Sequence, residues 1–361
     1  MSFDSGFWRD RNVLVTGHTG FKGSWMSLWL RSMGANVTGI ALAPESEPSL
    51  WSIVGEESGV MSRIADIRDE KIINRLIVDA APDVVFHMAA QALVRRSYRD
   101  PIGTYASNVM GTVHVLNALR EPATRQRIKA VVVVTSDKVY ENNGADRAFT
   151  EEDRLGGHDP YSNSKACTEL VTGSLRDSFF QGGPPVVTVR AGNVVGGGDW
   201  AEDRLIPDAI RAHQAGQSVS LRYPKAIRPW QHVLEPLSGY LHYAQSLAQG
   251  KSLPKVLNFG PSATSTCTVS EVIERLGRFL GGLGWTQTPG EFPAEAQHLT
   301  LSSALARKTL DWQPRLDIDR TMDWTGSWFQ AHYAGQNMIA FTLDQISQYG
   351  TLMRGGSAGY T

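Results

Sequence analysis

The chain has 361 residues, 42% of them hydrophobic and 20% charged, a composition typical of a soluble globular protein with one large domain or two closely packed ones. The formal net charge is −1, which excludes a general electrostatic attraction to nucleic acid or to an anionic membrane. The two cysteines, Cys167 and Cys267, form neither a disulfide framework nor a metal-ligand motif. The segment MSFDSGFWRDRN has no signal-peptide pattern and no apolar run has membrane-spanning length, so we expect a cytoplasmic protein without metal, nucleic-acid or membrane partners.

Short apolar runs alternate with amphipathic helical patterns through the first half of the chain. The apolar runs predict strands over 13–15, 37–42, 84–86, 131–134 and 186–189. The helical patterns cover 25–30, 72–77, 105–119 and 161–180. Apolar strands that alternate with helices indicate a parallel sheet covered on both faces. The expected fold class is therefore α/β, with a Rossmann-type doubly wound sheet.

The texture of the sequence changes after about Ala191, where Gly, Pro and Trp become frequent, as in NVVGGGDW and KAIRPWQHVLEP. A strand over 255–259 is predicted to return to the main sheet. We predict a Rossmann domain over 1–190 plus about 230–260, a smaller mixed α/β C-terminal substrate domain over 191–229 and 261–340, and a C-terminal tail over 341–361.

A glycine-rich segment, GHTGFKG over 17–23, directly follows the first predicted strand and opens the first helix. Its glycines let the backbone turn tightly and approach a pyrophosphate, to which the helix N-terminus offers unpaired N–H groups. An ordinary glycine turn is the alternative, but the position between a strand and a helix favours a nicotinamide dinucleotide. The residues predicted to bind it here are Gly17, Thr19, Gly20, Phe21, Lys22 and Gly23.

Other parts of the first half are predicted to complete the cofactor site. The second strand ends without the acidic residue that usually holds the adenosine ribose, and without an arginine for a 2′-phosphate, so NAD is favoured over NADP. Asp66 either accepts a bond from the adenine amino group or caps the following helix. The small residues in HMAAQ let a ribose or the nicotinamide lie against the backbone, or form a tight packing turn. The further predicted cofactor contacts are Asp66, Ile67, Met88, Ala89, Ala90, Gln91, Asn108, Thr135, Tyr161, Lys165 and Arg190.

Tyr161 and Lys165 are spaced four apart in YSNSK, so a helix there would point both side chains to one face. Asp159 is expected to cap this helix, with Pro160 at its first position. An ammonium near the phenol lowers the pKa of the phenol, and the phenolate can take a proton from a sugar hydroxyl while hydride leaves the same carbon. The pair is common by chance on helices, but it follows a dinucleotide motif here.

Ser136, Asp137 and Lys138, in TSDKVY, follow the predicted strand over 131–134. The carboxyl ends of parallel strands form the ligand crevice, so these side chains are expected to face a substrate. Ser136 can bind the reacting hydroxyl. An adjacent acid and base suit a dehydration, in which one group protonates a leaving hydroxyl and the other removes a proton from the neighbouring carbon. A surface ion pair of little energetic effect is the alternative.

The motifs GHTGFKGSW, HMAAQ, NVMGT, TSDKVY, YSNSK, RAGNVVGGGDW and RPWQHVLEPLSGY together resemble the extended short-chain dehydrogenases/reductases, and within them the sugar-nucleotide 4,6-dehydratases that act on CDP-glucose. The resemblance runs from about Phe7 to Trp328. It implies Tyr161 as the base for hydride transfer with Lys165 as its partner, Ser136 as the group that orients the hydroxyl, and Asp137 as the acid at C6. Lys138 stands where the thymidine-sugar enzymes have a glutamate, and is the candidate base at C5.

The resemblance also implies the reaction and the substrate. NAD would take hydride from C4 of CDP-glucose, water would leave across C5–C6, and hydride would return to C6, giving CDP-4-keto-6-deoxyglucose. Arginines are expected at the anionic diphosphate, and a tryptophan can stack on the base or the sugar, although core packing explains a tryptophan equally well. The predicted substrate contacts are Asn193, Trp200, Arg204, Leu205, Arg228 and Trp230.

Assembly and function each have alternatives at this point. The segments 105–119 and 161–180 look amphipathic, and the resembling family pairs these two helices with their copies, which implies a homodimer or a dimer of dimers; they can equally pack within one subunit. A sugar-nucleotide 4-epimerase would share Tyr161 and Lys165 without needing Asp137 and Lys138. A non-catalytic dinucleotide sensor would have no use for a complete Ser–Tyr–Lys set.

Overall fold

The structure is a computed structural model that describes residues 4–144, 147–262, 265–290 and 299–355. The strands in these residues are β1 (Asn12–Thr16), β2 (Asn36–Ala41), β3 (Met61–Ile64), β4 (Val84–His87), β5 (Ala130–Val134), β6 (Val186–Ala191), β7 (Asn193–Val195), β8 (Val219–Leu221), β9 (Ile227–His232), β10 (Val256–Phe259), β11 (Thr266–Thr268) and β12 (Trp285–Gln287). In the described part of the chain, no helix combines the length and the apolar character that a membrane span requires.

Helices occur throughout the described part of the chain. They are α1 (Ser5–Trp8), α2 (Phe21–Ser32), α3 (Leu50–Val54), α4 (Glu70–Ala80), α5 (Val94–Arg99), α6 (Pro101–Tyr105), α7 (Gly111–Ala118), α8 (Pro122–Arg127), α9 (Pro160–Phe179), α10 (Leu205–Gln214), α11 (Leu234–Ala248), α12 (Val269–Leu280), α13 (Ala304–Leu310), α14 (Ile318–Tyr333) and α15 (Met338–Arg354). A π-helical turn over Ala106–Met110 joins α6 to α7, and a 3₁₀ turn covers Asp137–Val139.

Seven strands form one parallel sheet in the order β10–β6–β5–β4–β1–β2–β3. Val13 in the interior strand β1 lies between Val37 of β2 and Val84 of β4. All residues of β4, β5 and β6 are buried, because helices cover both faces of the sheet. The strand order reverses at β1, and ligands of such sheets bind outside the carboxyl ends of the strands at that point. The predicted Rossmann-type α/β fold is confirmed.

The two faces of the sheet pack into separate apolar layers, because successive residues of a strand point to opposite sides. Val15 of β1 packs in one layer with Trp25 of α2 and Leu237 of α11. Leu14, its neighbour in the strand, packs in the other layer with Ile73 of α4. Burial of each aliphatic side chain of this kind stabilises the fold by about 1.5–3 kcal/mol. The sheet that positions the strand ends is therefore rigidly supported from both sides.

Two smaller sheets follow the main one, with the orders β11–β9–β7 and β12–β8. The strand β7 begins two residues after β6 ends and runs parallel to β9, so Asn193 lies beside Trp230. The strand β10 pairs with β6, as predicted for the segment that returns to the main sheet. This arrangement places β7 and β9 next to the carboxyl end of β6. The exact limits of the two domains remain predictions.

The edge strand β3 is absent from the predicted elements. It has only four residues, Met61–Ile64, and three of them are exposed. A short strand at the edge of a sheet carries no continuous apolar run, which is the signal that the other strands gave. The sequence pattern therefore predicted the interior strands and the edge strand β10, and missed the edge strand β3.

The C-terminal region also differs from the prediction. Part of the predicted tail over 341–361 belongs to α15, which spans Met338–Arg354 and packs against α2 and α3. The residues 356–361 lie outside the described residues. The described end of the chain is therefore an element of the core rather than an appendage.

A buried polar contact joins α15 to α11. Tyr349 is fully buried and its hydroxyl donates to Glu235 Oε2 of α11 over 2.7 Å. The other carboxylate oxygen of Glu235 accepts the backbone N–H groups of Arg315 and Leu316. Burial raises the pKa of Glu235 to about 7 against these donors, which favour the ionised form.

Candidate active site

A cleft of about 2800 Å³ lies along the carboxyl ends of β1, β4, β5 and β6. Pockets for single drug-sized ligands measure about 300–1,000 Å³, so this cleft has room for a dinucleotide and a second ligand side by side. Every predicted site residue lines the cleft except Asn108 and Arg190. The cleft therefore joins the predicted cofactor residues to the predicted substrate residues.

The glycine-rich segment forms the floor of the cleft at the end of β1. Gly17 has a φ of +79°, and a Cβ at this position would lie 2.8 Å from the backbone nitrogen of Ala89. A Cβ on Gly23 would lie 2.0 Å from the Gly17 carbonyl oxygen. The N-cap of α2 is Gly20, which offers no side-chain oxygen to the first N–H groups of the helix. Those N–H groups and the close backbone approach fit a pyrophosphate.

The two large polar residues of this segment have different surroundings. His18 turns away from the cleft, its Nε2 lies 2.7 Å from Ser62 Oγ, and burial lowers its pKa to about 4. Lys22 lines the cleft, and burial followed by the charges of Arg204 and Lys165 lowers its pKa to about 7. An anion that enters the cleft favours the charged form of Lys22.

Asp66 lies at the cofactor end of the cleft and does not cap the helix that follows. The cap of α4 is Asp69, whose carboxylate accepts the N–H of Ile72 over 3.0 Å. The Asp66 carboxylate instead forms an ion pair with the guanidinium of Arg68, with 2.5 Å between Oδ2 and Nη2. This hydrogen bond holds the pKa of Asp66 below its ordinary value. The capping alternative for Asp66 is therefore wrong, and its carboxylate borders the cleft.

Asn108 is buried in the π-helical turn, behind the wall of the cleft. Its amide donates to the Gln91 carbonyl over 3.0 Å and to Ser164 Oγ over 2.8 Å, and its oxygen accepts the Gln91 N–H over 2.8 Å. These bonds tie the loop after β4 to α9. The structure thus places Asn108 as a support for Gln91, which does line the cleft.

The helix α9 begins as predicted. Its N-cap is Asp159, which accepts the Ser162 N–H over 2.9 Å, and Pro160 occupies the first position. Tyr161 and Lys165 are both buried and both line the cleft. The Lys165 ammonium donates to the Val134 carbonyl over 2.9 Å.

The pKa of Tyr161 departs from the sequence-based expectation. Burial raises it above the ordinary value, and the charge of Lys138 and a hydrogen bond with Ser136 act in the opposite direction. Burial also lowers the pKa of Lys165 to about 8, against the effect of Glu169. The expectation that Lys165 lowers the pKa of the phenol is corrected, because the cation that acts most strongly against the effect of burial is Lys138. The four-residue spacing in the sequence could not reveal the pKa of Tyr161, because that pKa depends on how deeply both side chains are buried.

The turn after β5 brings the remaining predicted catalytic groups to the same place. Ser136 Oγ donates to Asp137 Oδ1 over 3.0 Å, and the Lys138 ammonium lies 3.5 Å from that oxygen. Asp137 is 2% exposed, and its Oδ2 has no hydrogen-bond partner among the described residues. This burial excludes the alternative that Asp137 and Lys138 form a solvated ion pair on the surface. Asp137 Oδ2 is therefore the oxygen of this carboxylate whose hydrogen-bonding capacity is unused by the described residues.

Two arginines from the part of the chain that follows β6 also line the cleft. Arg204 precedes Leu205 at the start of α10, and its Nη1 donates to Asp199 Oδ2 over 2.9 Å. Its side chain is one-third exposed, at 33%, so it can meet a ligand. Arg228 extends from β9, which belongs to the same small sheet as Asn193 of β7. Together they form a basic wall suited to a diphosphate.

The two predicted substrate tryptophans are mostly enclosed. Trp200 packs edge-to-face against Trp328 and Phe329, with ring centroids 5.6 and 5.3 Å apart. Trp230 is 5% exposed, and its indole N–H has no acceptor among the described residues. Trp200 therefore serves the core as well as the cleft wall, and Trp230 offers a buried donor at the cleft.

A model of the family described as GDP-mannose 4,6 dehydratase matches residues 14–325 of this chain. The chain belongs to this dehydratase family. CDP-glucose 4,6-dehydratase of Salmonella typhimurium is 46% identical over 354 residues, which cover 96% of this chain and 98% of that protein. A dTDP-glucose 4,6-dehydratase of Xanthomonas campestris is 31% identical over 225 residues, 60% of this chain and 63% of that protein. The resemblance to the sugar-nucleotide dehydratases is confirmed.

Solved structures share the fold of this dehydratase-family chain. The dTDP-glucose 4,6-dehydratase of Bacillus anthracis, in complex with NAD, has a TM-score of 0.74 at 21% identity and covers 91% of this chain and 99% of its own. The UDP-glucose 4-epimerase of Thermotoga maritima, with UDP-glucose, has a TM-score of 0.76 at 20% identity and covers 89% and 99%. Dehydratases and epimerases thus share this architecture.

Several residues of this dehydratase-family chain that shape the site have no signal in the sequence pattern. Arg95 of α5 pairs with Asp203 across the cleft over 2.5 Å, and Arg96 pairs with Glu45 over 2.5 Å. The partners of the first pair lie 108 positions apart in the chain. Arg190 also differs from its predicted place, because its guanidinium turns away from the cleft and meets Glu169 over 2.9 Å.

Proposed function

We propose that this chain dehydrates CDP-glucose to CDP-4-keto-6-deoxyglucose with bound NAD. The carrying observation is the convergence of five side chains at one place in the cleft, beside the glycine-rich floor: Ser136, Asp137, Lys138, Tyr161 and Lys165. The relative that is 46% identical over almost the whole of both chains is a CDP-glucose 4,6-dehydratase, which supports cytidine as the nucleoside.

The cleft suits NAD in shape and in charge. When bound, NAD supplies the hydride acceptor for C4 and the hydride donor for C6, so the conversion needs no external redox partner. The N–H groups of α2 and the backbone of 17–23 would hold the pyrophosphate, and Asp66 would accept the adenine amino group. Ala43 and Pro44 follow β2, where a 2′-phosphate would need a cation, which supports NAD over NADP.

Tyr161 is the proposed base of the first step. Its phenolate takes the proton of the C4 hydroxyl and becomes the phenol, while Ser136, which hydrogen-bonds with Tyr161, orients that hydroxyl. The phenolate must be accessible near neutral pH although burial opposes it. The charges of Lys138 and Arg204 favour the phenolate, and any further positive charge in the cleft does the same.

Asp137 and Lys138 are the proposed acid and base of the elimination. A ketone at C4 makes the C5 proton acidic. The Lys138 ammonium, whose charge favours the phenolate in the first step, would then pass a proton to Asp137 beside it, and the resulting neutral amine removes the C5 proton. Asp137 gives a proton from Oδ2 to the C6 hydroxyl, which leaves as water. Lys138 returns its proton to C5 when C6 is reduced. The proton that Tyr161 took replaces the one that Asp137 gave, so the sugar loses one water in total.

The phosphates and the base would lie on the far side of the cleft. Arg204 and Arg228 would neutralise the diphosphate, with Asp199 holding the first of them in place. Leu205, Asn193, Trp200 and Trp230 would enclose the sugar and the base. An epimerase of the same fold has no need for the buried acid–base pair of Asp137 and Lys138, which favours the dehydratase.

We also propose that the protein is a homodimer or a dimer of dimers. Apolar side chains on the outer faces of the α6–α7 segment and of α9 are unusually exposed, at 82% for Ile102, 48% for Met110 and 60% for Leu170. An exposed apolar face of this kind supports contact with a second copy. Both cysteines are free thiols, which supports a reducing compartment, the cytoplasm, for the reaction.

Product analysis tests the reaction directly. The purified protein is incubated with NAD and, separately, with CDP-glucose, dTDP-glucose and GDP-mannose, and the products are weighed by mass spectrometry. Loss of one water from CDP-glucose is the expected result. A product of unchanged mass but altered chromatographic retention would indicate an epimerase instead. NAD binding without any product would indicate the dinucleotide sensor.

A further inference from the structure

A carboxylate that the proposed mechanism does not use lies directly behind the catalytic groups. Glu169 is four positions after Lys165 on α9, and its side chain is 3% exposed. Its Oε1 accepts the Thr135 hydroxyl over 2.5 Å and Arg190 Nε over 2.9 Å. Its Oε2 accepts the Thr188 hydroxyl over 2.6 Å and Arg190 Nη2 over 3.0 Å. Every lone-pair direction of this carboxylate is thus matched to a donor.

These contacts join the two elements that carry the catalytic groups. Glu169 belongs to the helix of Tyr161 and Lys165, whereas Thr135 directly precedes Ser136 at the end of β5. The Lys165 ammonium makes a second link to the same strand end, at the Val134 carbonyl. The relative position of the phenol and the Ser136 turn is therefore set by bonds within a single turn of α9.

Arg190 extends the network to the far side of β6. Its Nη1 donates to the Tyr140 hydroxyl over 2.8 Å, which in turn donates to Asn258 of β10 over 2.7 Å. Tyr140 follows the 3₁₀ turn that contains Asp137 and Lys138. The pair Glu169–Arg190 is thus bonded to residues just before and just after the turn with the proposed acid and base.

Stability of the fold does not account for these charges. A buried ion pair loses much of its hydration energy, and a well-packed apolar pair of the same volume often stabilises a protein as well or better. Here two threonines and one arginine all donate hydrogen bonds to a single carboxylate, that of Glu169. The feature that an apolar pair would not reproduce is a fixed geometry with a negative charge close to Lys165.

The charge of Glu169 acts on Lys165 from the same helix. The charge of Lys165 also acts on Lys22 of α2 and His87 of β4, and Lys165 lines the same cleft as Tyr161. Burial holds the pKa of His87 at about 3, so this imidazole is neutral near neutral pH. Burial lowers the pKa of Lys165, and Glu169 opposes that effect. The carboxylate therefore helps to keep the ammonium charged in a cleft that holds other cations.

We propose that Glu169 is a positioning residue of the reaction: with Arg190 it fixes α9 against the strand end of Ser136 and Asp137, and its charge maintains the Lys165 ammonium. The inference rests on the proposed function and adds a residue that touches neither substrate nor cofactor. It also gives Arg190 a place in the site, behind the catalytic groups rather than at the cofactor.

The test removes both charges at once, so that no ion is left unpaired in the core. The double variant Glu169→Gln/Arg190→Met is compared with Glu235→Gln, a control in which another buried carboxyl group, outside the cleft, is replaced by an amide. The readouts are the thermal midpoint, kcat and KM for CDP-glucose across pH, NAD affinity by calorimetry, and the titration of Lys165 Nζ by NMR of ¹⁵N-lysine protein, assigned with Lys165→Met.

We expect the double variant to lose about 10- to 100-fold in kcat with little change in KM, because small misplacements of catalytic groups have effects of this size. The Lys165 titration and the alkaline limb of kcat should both move to lower pH, because Glu169 is the charge that opposes the effect of burial on Lys165, whereas Arg190 does not contribute to the Lys165 pKa. Glu235→Gln should leave kcat, the pH profile and the Lys165 titration unchanged. Equal losses of kcat in the two variants, or an unchanged Lys165 titration in the double variant, would overturn the proposal.

A second variant covers the case in which the double variant does not fold. Glu169→Asp keeps the charge on a shorter side chain that cannot reach both threonines. It should lower kcat while leaving the pH at which Lys165 Nζ titrates close to that of the wild type, because the charge is kept. Wild-type kcat in Glu169→Asp would contradict the positioning role. The NMR titration needs no turnover, so it reports on Glu169 even where CDP-glucose is not a substrate, and the two proposals can fail separately.

Discussion

The Lys165 ammonium is bonded to the backbone carbonyl of Val134, 2.9 Å away, so the lysine of α9 is fastened to the strand that leads into Ser136. A lysine held in this way is a fixed positive charge at the junction of helix and strand. The bond to Val134 ties α9, the helix that also carries Tyr161, to the end of β5. The variants below separate the proton-transfer groups from the residues that place them.

Removal of the Tyr161 hydroxyl should abolish turnover and spare cofactor binding. Tyr161→Phe deletes the proposed base and is expected to lower kcat by about 10²–10⁴-fold. The ring and the backbone that line the cleft stay in place, so NAD affinity measured by calorimetry should be unchanged. Tyr105→Phe is the matched control, because the Tyr105 hydroxyl bonds with Asn163 of the same helix but lies outside the cleft. Wild-type turnover in Tyr161→Phe would refute the assignment.

Loss of the acid at Asp137 should stop the reaction after its first step. Asp137→Asn keeps the size of the side chain but cannot protonate the C6 hydroxyl, so we expect kcat to fall by about 10²–10⁴-fold. The first oxidation does not need this proton, and the absorbance of reduced cofactor should accumulate in a single turnover. Asp153→Asn, at an ion pair with Arg147 outside the cleft, should behave like the wild type. Equal loss of cofactor reduction and product formation would assign Asp137 to the first step instead.

Two glycines of one loop should respond differently to alanine. Gly23→Ala places a Cβ 2.0 Å from the Gly17 carbonyl oxygen, which the backbone must move to relieve. We expect loss of NAD binding and a destabilisation of about 1–3 kcal/mol, the usual cost of overpacking. Gly20→Ala should weaken NAD binding less, because its Cβ would lie 3.3 Å from the same oxygen, which is a tight contact rather than a clash. Calorimetric NAD titration and chemical unfolding of both variants measure the difference; equal NAD affinity in the two would contradict the close-approach argument.

Several features of the fold and site were predictable because they depend on neighbours in sequence. The run Val131–Val134 marks a buried strand, the strand–glycine–helix order marks the floor of the cleft, and Asp159 before Pro160 marks a helix start. Local physics decides each of these: alternation and burial for strands, φ freedom for glycines, and capping for helices. The structure has all three where the sequence places them.

The remaining features depend on contacts between distant parts of the chain. Arg190 looked like a ligand-binding arginine at a strand end, but Glu169, 21 positions earlier, takes its guanidinium. Asn108 was expected at the cofactor, yet a π-helical turn directs its amide to Gln91. The pKa of Tyr161 follows from burial, which no spacing in the sequence measures.

Acid should stabilise the contact between Glu235 and α15. The Glu235 pKa is about 7 in the folded protein against an ordinary value of 4.5, so between these pH values the unfolded chain loses a proton that the folded chain keeps. The contribution of Glu235 to stability is therefore complete below about pH 4.5 and is lost as the pH rises to about 7. A shift of this size corresponds to about 3 kcal/mol.

Glu235→Gln should remove this dependence, since its amide does not titrate. Chemical unfolding of both proteins across this pH range should show a difference in unfolding free energy that changes with pH as the carboxyl titrates. Buried histidines such as His232, whose pKa burial lowers to about 3, titrate in both proteins and cancel in the comparison. A constant difference between variant and wild type would mean that Glu235 is ionised throughout.

A charge on the exposed apolar face of α9 should separate the proposed dimer. Leu170 is 60% exposed, so replacement by glutamate removes no core contact and should leave the thermal midpoint of the subunit nearly unchanged. At a contact with a second copy the same carboxylate would be desolvated without a partner, which disfavours association. Light scattering at several protein concentrations should give the mass of a dimer or tetramer for the wild type and of a monomer for Leu170→Glu. Val78→Glu on α4, at an exposed apolar position on a different helix, should keep the wild-type mass; the same mass in all three proteins would place any interface elsewhere.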